Sequence, residues 1–320
     1  MKIAILGAGA LAIALTKVID NEKNDIILWT KFQREKEDIE HSRENTKLFP
    51  GVRISEDVRI TNDIAEAVVG AEVIINVLPF IAVGDVIEIL KPIYDKKQII
   101  LSTTKGIDGE NFTTSTKLLE QGLGAKKIAA LSGPSFAIEI ANRDNISFML
   151  GSKDEETIKV ILELLDTESI KIEVTDDIEG IQLAGGIKNA IAVGSGILAG
   201  LNAADSTKAA YIAMGMADMA KVIVLLGGKK ETAYTYAGIG DLLLTCMSST
   251  SRNFTFGSYV GQGFTVEQAF TRMDGKTVEG YKVIRTIHKY AKENNVKLHT
   301  IDTLYNIIFE NGDKKKIKKI

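Results

Sequence analysis

A short apolar run, Lys2 to Leu6, breaks into Gly7-Ala8-Gly9 and passes at once into a helix-like segment, Ala10 to Asp20. A strand that turns directly into a helix on glycines admits few architectures, because the helix must fold back against the strand it has just left. The same alternation then repeats. Apolar runs at Asp25–Thr30, Glu72–Phe80, Gln98–Gly106, Lys127–Ser135, Ile146–Ser152 and Ile170–Asp177 each end in small or polar residues, with helix-like stretches between. Strands that are apolar throughout are strands covered on both faces, so the pattern predicts a doubly wound α/β fold with a parallel sheet.

Beyond about Asp177 the character changes. Helical segments follow one another at Ile181–Leu201, Thr207–Leu226, Val266–Arg272 and Tyr281–Asn294, and no β-rich run interrupts them. The organisation expected is an N-terminal Rossmann-type domain, residues 1–177, and an all-α C-terminal domain, residues 178–320. Without a Gly/Ser or Pro-rich linker, the helix after Asp177 is expected to pass through the interdomain region, where small-molecule sites tend to form.

At 320 residues with net charge −3, the chain offers no global attraction for nucleic acid or anionic membranes. One cysteine, Cys246, forms no internal disulfide, and Met1 leads straight into the first strand, so a cytoplasmic protein is expected. His41, His288 and His299 have no metal-ligand spacing, so no metal site is expected. The basic end "KKKIKKI" is read as a frayed terminus, and "KFQREKEDIEHSREN" as a solvated helix face.

Gly7 suits the tight turn of a dinucleotide fingerprint, Gly9 the close approach of a pyrophosphate, and Ala12 the packing of the helix on the strand. After the second strand an acid would hold a free ribose 2′-hydroxyl. Here stand Thr30, Lys31 and Arg34, which favours NADPH over NADH. Lys105 and Ser135 fall at the carboxyl ends of strands, on the rim where ligands of such sheets lie. In the helical half, Lys188 and Asn189 interrupt the apolar segment Ala184–Gly200 with no acid nearby in sequence. That charge rules out a comfortable membrane span; it leaves either a lysine reaching out to water or a functional ammonium. Asp241 follows two glycines at a helix start, and Ser251, Arg252 and Asn253 form a polar loop suited to a phosphate.

Taken in order, "GAG", "TTKG", "LSGPSFAIEIA", "GGIKNAIAVGSGILAGL" and "GIGDLLLTCMSSTSRN" resemble the soluble NAD(P)-dependent glycerol-3-phosphate dehydrogenases, with "NTKLFPG" and "VEGY" as weaker echoes. The resemblance runs from Gly7 to Tyr281. It implies NADPH- or NADH-dependent reduction of dihydroxyacetone phosphate to sn-glycerol 3-phosphate, feeding phospholipid synthesis. Lys188 would handle the proton at the substrate oxygen, with Asn189 and Asp241 beside it. Lys105, Gly133, Ser135, Ser251, Arg252 and Asn253 would meet the substrate. Gly7, Gly9, Ala10, Leu11, Lys31, Lys105, Ala137, Arg252, Thr277 and Glu279 would meet the cofactor. Independently, an ammonium held near a ketone stabilises the alkoxide that hydride transfer creates. The sequence departs from the family at Ala10-Leu11-Ala12, at Gln182, at Ala204-Asp205-Ser206, and at Ala213-Met214-Gly215, where the family carries an arginine. Reduction of another phosphorylated or acidic ketone, and cofactor sensing without turnover, therefore stand as alternatives. The base rate of symmetric oligomers points to a homodimer.

Overall fold

The computed structural model describes residues 1–19, 22–107 and 112–319. The chain divides into two compact units, Met1–Lys105 with Thr113–Ile178, and Gly106–Phe112 with Glu179–Ile320.

The first unit is built on one sheet of eight strands: β1 (Lys2–Leu6), β2 (Asp25–Trp29), β3 (Arg59–Thr61), β4 (Val73–Asn76), β5 (Ile99–Ser102), β6 (Ile128–Ser132), β7 (Ile146–Gly151) and β8 (Ile170–Thr175). Their order is β3-β2-β1-β4-β5-β6-β7-β8. Ile5 of β1 pairs with Leu28 on one side and Ile75 on the other. Strand order therefore reverses at β1, and the crevice at its carboxyl end is where such a sheet binds ligands.

Period-two alternation divides the strand residues between two cores. Ile3, Ile5, Leu28 and Ile75 belong to one, and Ala4, Leu6, Ile27 and Ile74 to the other. Helices α1 (Ala10–Val18), α2 (Gln33–Ser42), α3 (Ile64–Val68), α4 (Phe80–Leu90), α5 (Ser115–Leu123), α6 (Ala137–Ala141) and α7 (Glu155–Leu165) connect the strands. The first helix was expected to reach Asp20, which lies outside the described residues.

One pairing breaks the parallel pattern: β6 and β7 run antiparallel. The helix between them, α6, has only five residues. β3, with three residues, is too short to announce itself by periodicity.

The second unit is helical: α8 (Ile178–Gly200), α9 (Asp205–Leu225), a 3₁₀ turn (Lys230–Tyr234), a π turn (Tyr236–Gly240), α10 (Asp241–Met247), α11 (Arg252–Gly261), α12 (Val266–Arg272), α13 (Glu279–Glu293) and α14 (His299–Phe309). By length and composition α8 is apolar enough to cross a membrane, yet 89% of that window is buried within the protein. Its glycines explain how. A Cβ on Gly257 of α11 would lie 1.9 Å from the carbonyl oxygen of Val193, and one on Gly196 would lie 2.0 Å from that of Phe254. The two helices meet backbone to backbone, and no side chain fits between them. A Cβ on Gly194 would meet the hydroxyl of Tyr211, itself buried and donating to the Ile191 carbonyl at 3.1 Å.

The basic end is not frayed. Lys314–Lys319 forms a 3₁₀ segment whose Ile317 is buried, while Lys314 and Lys318 donate to the carbonyls of Phe264 and Leu201 at 3.1 and 3.2 Å. One apolar side chain and two carbonyl contacts anchor a segment that its composition presents as solvated.

Candidate functional site

The turn after β1 has the backbone that a phosphate cradle needs. Gly7 sits at φ +118°, where a side chain is strained, and its amide donates to the Trp29 carbonyl at 2.9 Å. A Cβ at Gly9 would meet nothing within 4 Å, so space lies over the turn. Gly9 is also the N-cap of α1 and supplies no side-chain cap, which leaves the first amides, from Ala10 and Leu11 onward, to other acceptors. Ala12 is fully buried against the sheet. An open cradle of amides at a helix start fits the pyrophosphate of a dinucleotide.

Beyond β2 the arrangement differs from the one expected. Thr30 is buried and turned inward, donating its hydroxyl to Glu35 of α2. Lys31 and Arg34 are exposed, and Lys31 lies 3.8 Å from Asp85. Asn45, which is buried, donates both to the Ala8 carbonyl at 2.9 Å and to Glu35 at 3.0 Å, while its own oxygen accepts from Leu48 N at 3.0 Å. An acid does stand near the carboxyl end of β2, delivered by the first turn of α2. Glu35 lies past the residues that directly follow the strand, so only the helical turn brings it to that end.

On the same rim, Asn76 at the end of β4 donates to Ser102 and Thr104 at 3.3 and 3.0 Å, and Thr104 donates to the Leu78 carbonyl at 2.8 Å. This buried ladder holds the loop that ends in Lys105. The Lys105 ammonium donates to the Gly133 carbonyl at 3.3 Å, which brings two of the expected site residues together. Gly133 has a packing reason as well, since a Cβ there would lie 2.6 Å from the Ser147 carbonyl. Ser135 is half-buried and Ala137 opens α6, both just beyond the end of β6.

In the helical unit the lysine without a local counter-ion has a distant one. Lys188 on α8 forms a buried ion pair with Asp241, the first residue of α10. The preceding π turn sets Asp241 in place, and its Gly238 cannot carry a Cβ, which would sit 2.3 Å from the Ala233 carbonyl. Asn189 donates to Glu279 at 3.0 Å, and Asn253 accepts from Gly280 N at 2.9 Å. A Cβ on Gly280 would lie 2.3 Å from the Asn189 carbonyl, so the start of α13 presses on α8 beside Lys188. Arg252 is exposed and donates to Thr277 at 3.1 Å.

Ser251, Arg252 and Asn253 were expected to form a loop. Ser251 is instead the N-cap of α11, accepting from Phe254 N at 3.3 Å, and the other two occupy the first turn. A helix start suits an anion better than a loop does, because its amides and dipole point the same way. These contacts tie Asp241 to Lys188, Asn189 to Glu279, Arg252 to Thr277 and Asn253 to Gly280, across α8, α10, α11 and the start of α13. Nearby, burial pushes the Cys246 thiol up to about 12; Lys188 pulls it down by less, and Asp241 adds to the rise.

Two family models match this chain, the N-terminal part of NAD-dependent glycerol-3-phosphate dehydrogenase over residues 2–158 and its C-terminal part over 177–319. The chain belongs to the NAD-dependent glycerol-3-phosphate dehydrogenase family. Among its relatives, glycerol-3-phosphate dehydrogenase [NAD(P)+] of Syntrophomonas wolfei is 30% identical over 97% of this chain and 91% of its own length. The Lactobacillus helveticus protein of that name is 31% identical over 98% and 94%. A crystal structure of glycerol-3-phosphate dehydrogenase from Coxiella burnetii superposes with a TM-score of 0.91 at 29% identity, covering 99% of this chain and 97% of that one. The Saccharomyces cerevisiae enzyme, at 20% identity over 100% and 98%, shares the fold with a TM-score of 0.88. Dehydrogenases of this family use a nicotinamide dinucleotide, for which the turn at Gly7–Gly9 has the cradle.

Proposed function

We propose that this protein reduces dihydroxyacetone phosphate reversibly to sn-glycerol 3-phosphate at the expense of NADPH or NADH. The observation that carries the reading is the buried Lys188–Asp241 pair, with Asn189 next in the chain bonded to Glu279 and with Asn253 and Arg252 tied to the approach and start of α13. A bound nicotinamide supplies hydride to the C2 carbonyl carbon of the substrate. As the carbon–oxygen double bond becomes a single bond, negative charge gathers on oxygen. The Lys188 ammonium stabilises that charge and gives up a proton to complete the alcohol. Asp241, only 1% exposed, fixes where the ammonium points. In the reverse direction the lysine takes the proton back.

The substrate phosphate is assigned to the start of α11, with Ser251, Arg252 and Asn253 as donors. Lys105, Gly133 and Ser135 are assigned to the substrate side of the sheet's rim, and Lys105 also to the cofactor. Gly7, Gly9, Ala10 and Leu11 are assigned to the pyrophosphate, and Ala137, Arg252, Thr277 and Glu279 to further cofactor contacts. Exposed Lys31 and Arg34, just past the end of β2, support NADPH as the favoured form, since a cation there suits a 2′-phosphate. In this reading residues 1–177 bind the dinucleotide and residues 178–320 the substrate. The enzyme works in the cytoplasm as a homodimer, and its product enters phospholipid synthesis.

A second reading rests on Met214, half-buried where the family carries an arginine, and on buried Gln182, another departure from the family, neither of which offers a charge. It names another phosphorylated or carboxylated ketone as substrate. Purified protein should oxidise NADPH with dihydroxyacetone phosphate in preference to a panel of carboxylated and unphosphorylated ketones. Turnover only with one of the latter would transfer the assignment to the second reading, and cofactor binding without turnover of any would make the protein a sensor.

A further inference from the structure

The corner beyond β2 holds a charge opposite in sign to the one its sequence displays. Glu35 is half-buried, with one carboxylate oxygen receiving the Thr30 hydroxyl and the other receiving Asn45 at 3.0 Å. The amide nitrogen of Asn45 also donates to the Ala8 carbonyl at 2.9 Å, between the two glycines of the fingerprint turn. A single NH₂ group therefore ties the carboxylate to the turn. Lys31 and Arg34, by contrast, are exposed, and Lys31 is drawn toward Asp85 at 3.8 Å.

We propose that Glu35 is a specificity-determining residue that opposes the 2′-phosphate of NADPH, so that the balance between a fixed carboxylate and two mobile cations sets the cofactor preference. The inference rests on the dinucleotide reading of the Gly7–Gly9 turn. A phosphate entering this corner would bring negative charge toward a carboxylate that two hydrogen bonds prevent from swinging away. A free 2′-hydroxyl would find an acceptor. The repulsion acts across a partly desolvated distance, where like charges are felt more strongly than in water. The cations act from solvent on flexible stems and are screened by salt. The protein is thereby built to accept both cofactors, and removing Glu35 should make it a stricter NADPH enzyme.

The test compares calorimetric affinities for adenosine 2′,5′-bisphosphate and adenosine 5′-phosphate, which need no turnover, on the intact chain. Glu35→Gln keeps the shape and an acceptor for Thr30 while deleting the charge. The ratio of the two affinities should shift toward the bisphosphate by roughly five- to tenfold, with the same shift in kcat/KM for NADPH over NADH. Glu35→Met, which keeps volume but neither charge nor acceptor, should move the ratio by a similar factor. Lys31→Gln should move it the other way. If both Glu35 variants bind the two probes in the wild-type ratio, the carboxylate does not act on the 2′-position and the proposal falls. If the wild-type protein binds neither probe, the dinucleotide reading itself fails.

Discussion

The ammonium of Lys188 and the carboxylate of Asp241 meet across 53 residues of sequence, with side chains 8% and 1% exposed. Such a pair is costly to bury, and removing one partner leaves the other charge without compensation, typically a loss of about 3–5 kcal/mol. The two substitutions should therefore separate stability from chemistry. Lys188→Ala should lower turnover by roughly two to four orders of magnitude while leaving cofactor affinity unchanged. Asp241→Asn should keep the contact while weakening the hold on the ammonium, and should lower turnover less. Circular dichroism melting shows which variants are folded. Near-normal turnover in a folded Lys188→Ala protein would remove the lysine from the mechanism.

Arg252 sits in the first turn of α11 and reaches Thr277. If it grips the phosphate, it contributes equally to the bound substrate and to the transition state. Arg252→Ala should then raise KM by one to two orders of magnitude with little change in kcat, roughly the loss of one charge-assisted hydrogen-bond pair. A large fall in kcat at saturating substrate would assign it to the reacting oxygen instead.

Gly257 is a test of the α8–α11 contact. With 1.9 Å between a would-be Cβ and the Val193 carbonyl, Gly257→Ala must push two helix backbones apart, and overpacking of this kind costs about 1–3 kcal/mol or more. Thermal melting should show a markedly lower midpoint. The exposed turn glycine Gly263, at φ +108°, gives a comparison in which strain arises without a clash. A Gly257→Ala midpoint within a degree of wild type would show that the helices part freely.

Cys246 borders a cavity of about 600 Å³ that is also lined by Ala213, Met216 and Phe254, so a small reagent has room nearby. The thiol is buried and held protonated, burial raising it to about 12 from 9.0, and both protect it. Iodoacetamide at pH 8 should leave Cys246 of the folded protein almost unmodified and label it fully in denaturant, as read by mass spectrometry.

The same shift predicts a loss of stability in alkali. Cys246 is raised to about 12, Tyr94 likewise from 10.0, and Tyr211 well above its usual value, burial being the main cause in each. The unfolded chain releases these protons first as pH rises. Stability is thus undiminished by them below about pH 9 and falls progressively between pH 9 and 12. Urea midpoints across that range should decline, and Tyr94→Phe should flatten part of the decline.

The local tier of this protein was legible in its residues. Apolar runs closed by glycine or by small polar residues specified seven of the strands, and α8, α9, α12 and α13 lie within three residues of the helices that periodicity predicts. Those signals are short-range: a strand buried on both faces must be apolar throughout, and a turn at φ +118° must be glycine. The candidate site was legible only as separate pieces. Nothing near Lys188 names Asp241 as its partner, because ion pairing depends on distance in space and the π turn that sets Asp241 in place is a product of packing. Glu35 is hidden in sequence for a similar reason, since a helical turn brings it back to Thr30, five residues upstream and just past the strand. The antiparallel direction of β7 leaves no signal in its own residues, and the basic end is docked by one buried isoleucine. Sequence determined which segments are helix or strand and which residue types are available for chemistry. Tertiary structure decided which charges meet and which stay in water, because burial and distance set the strength of an electrostatic contact and neither is a property of a residue's neighbours in the chain.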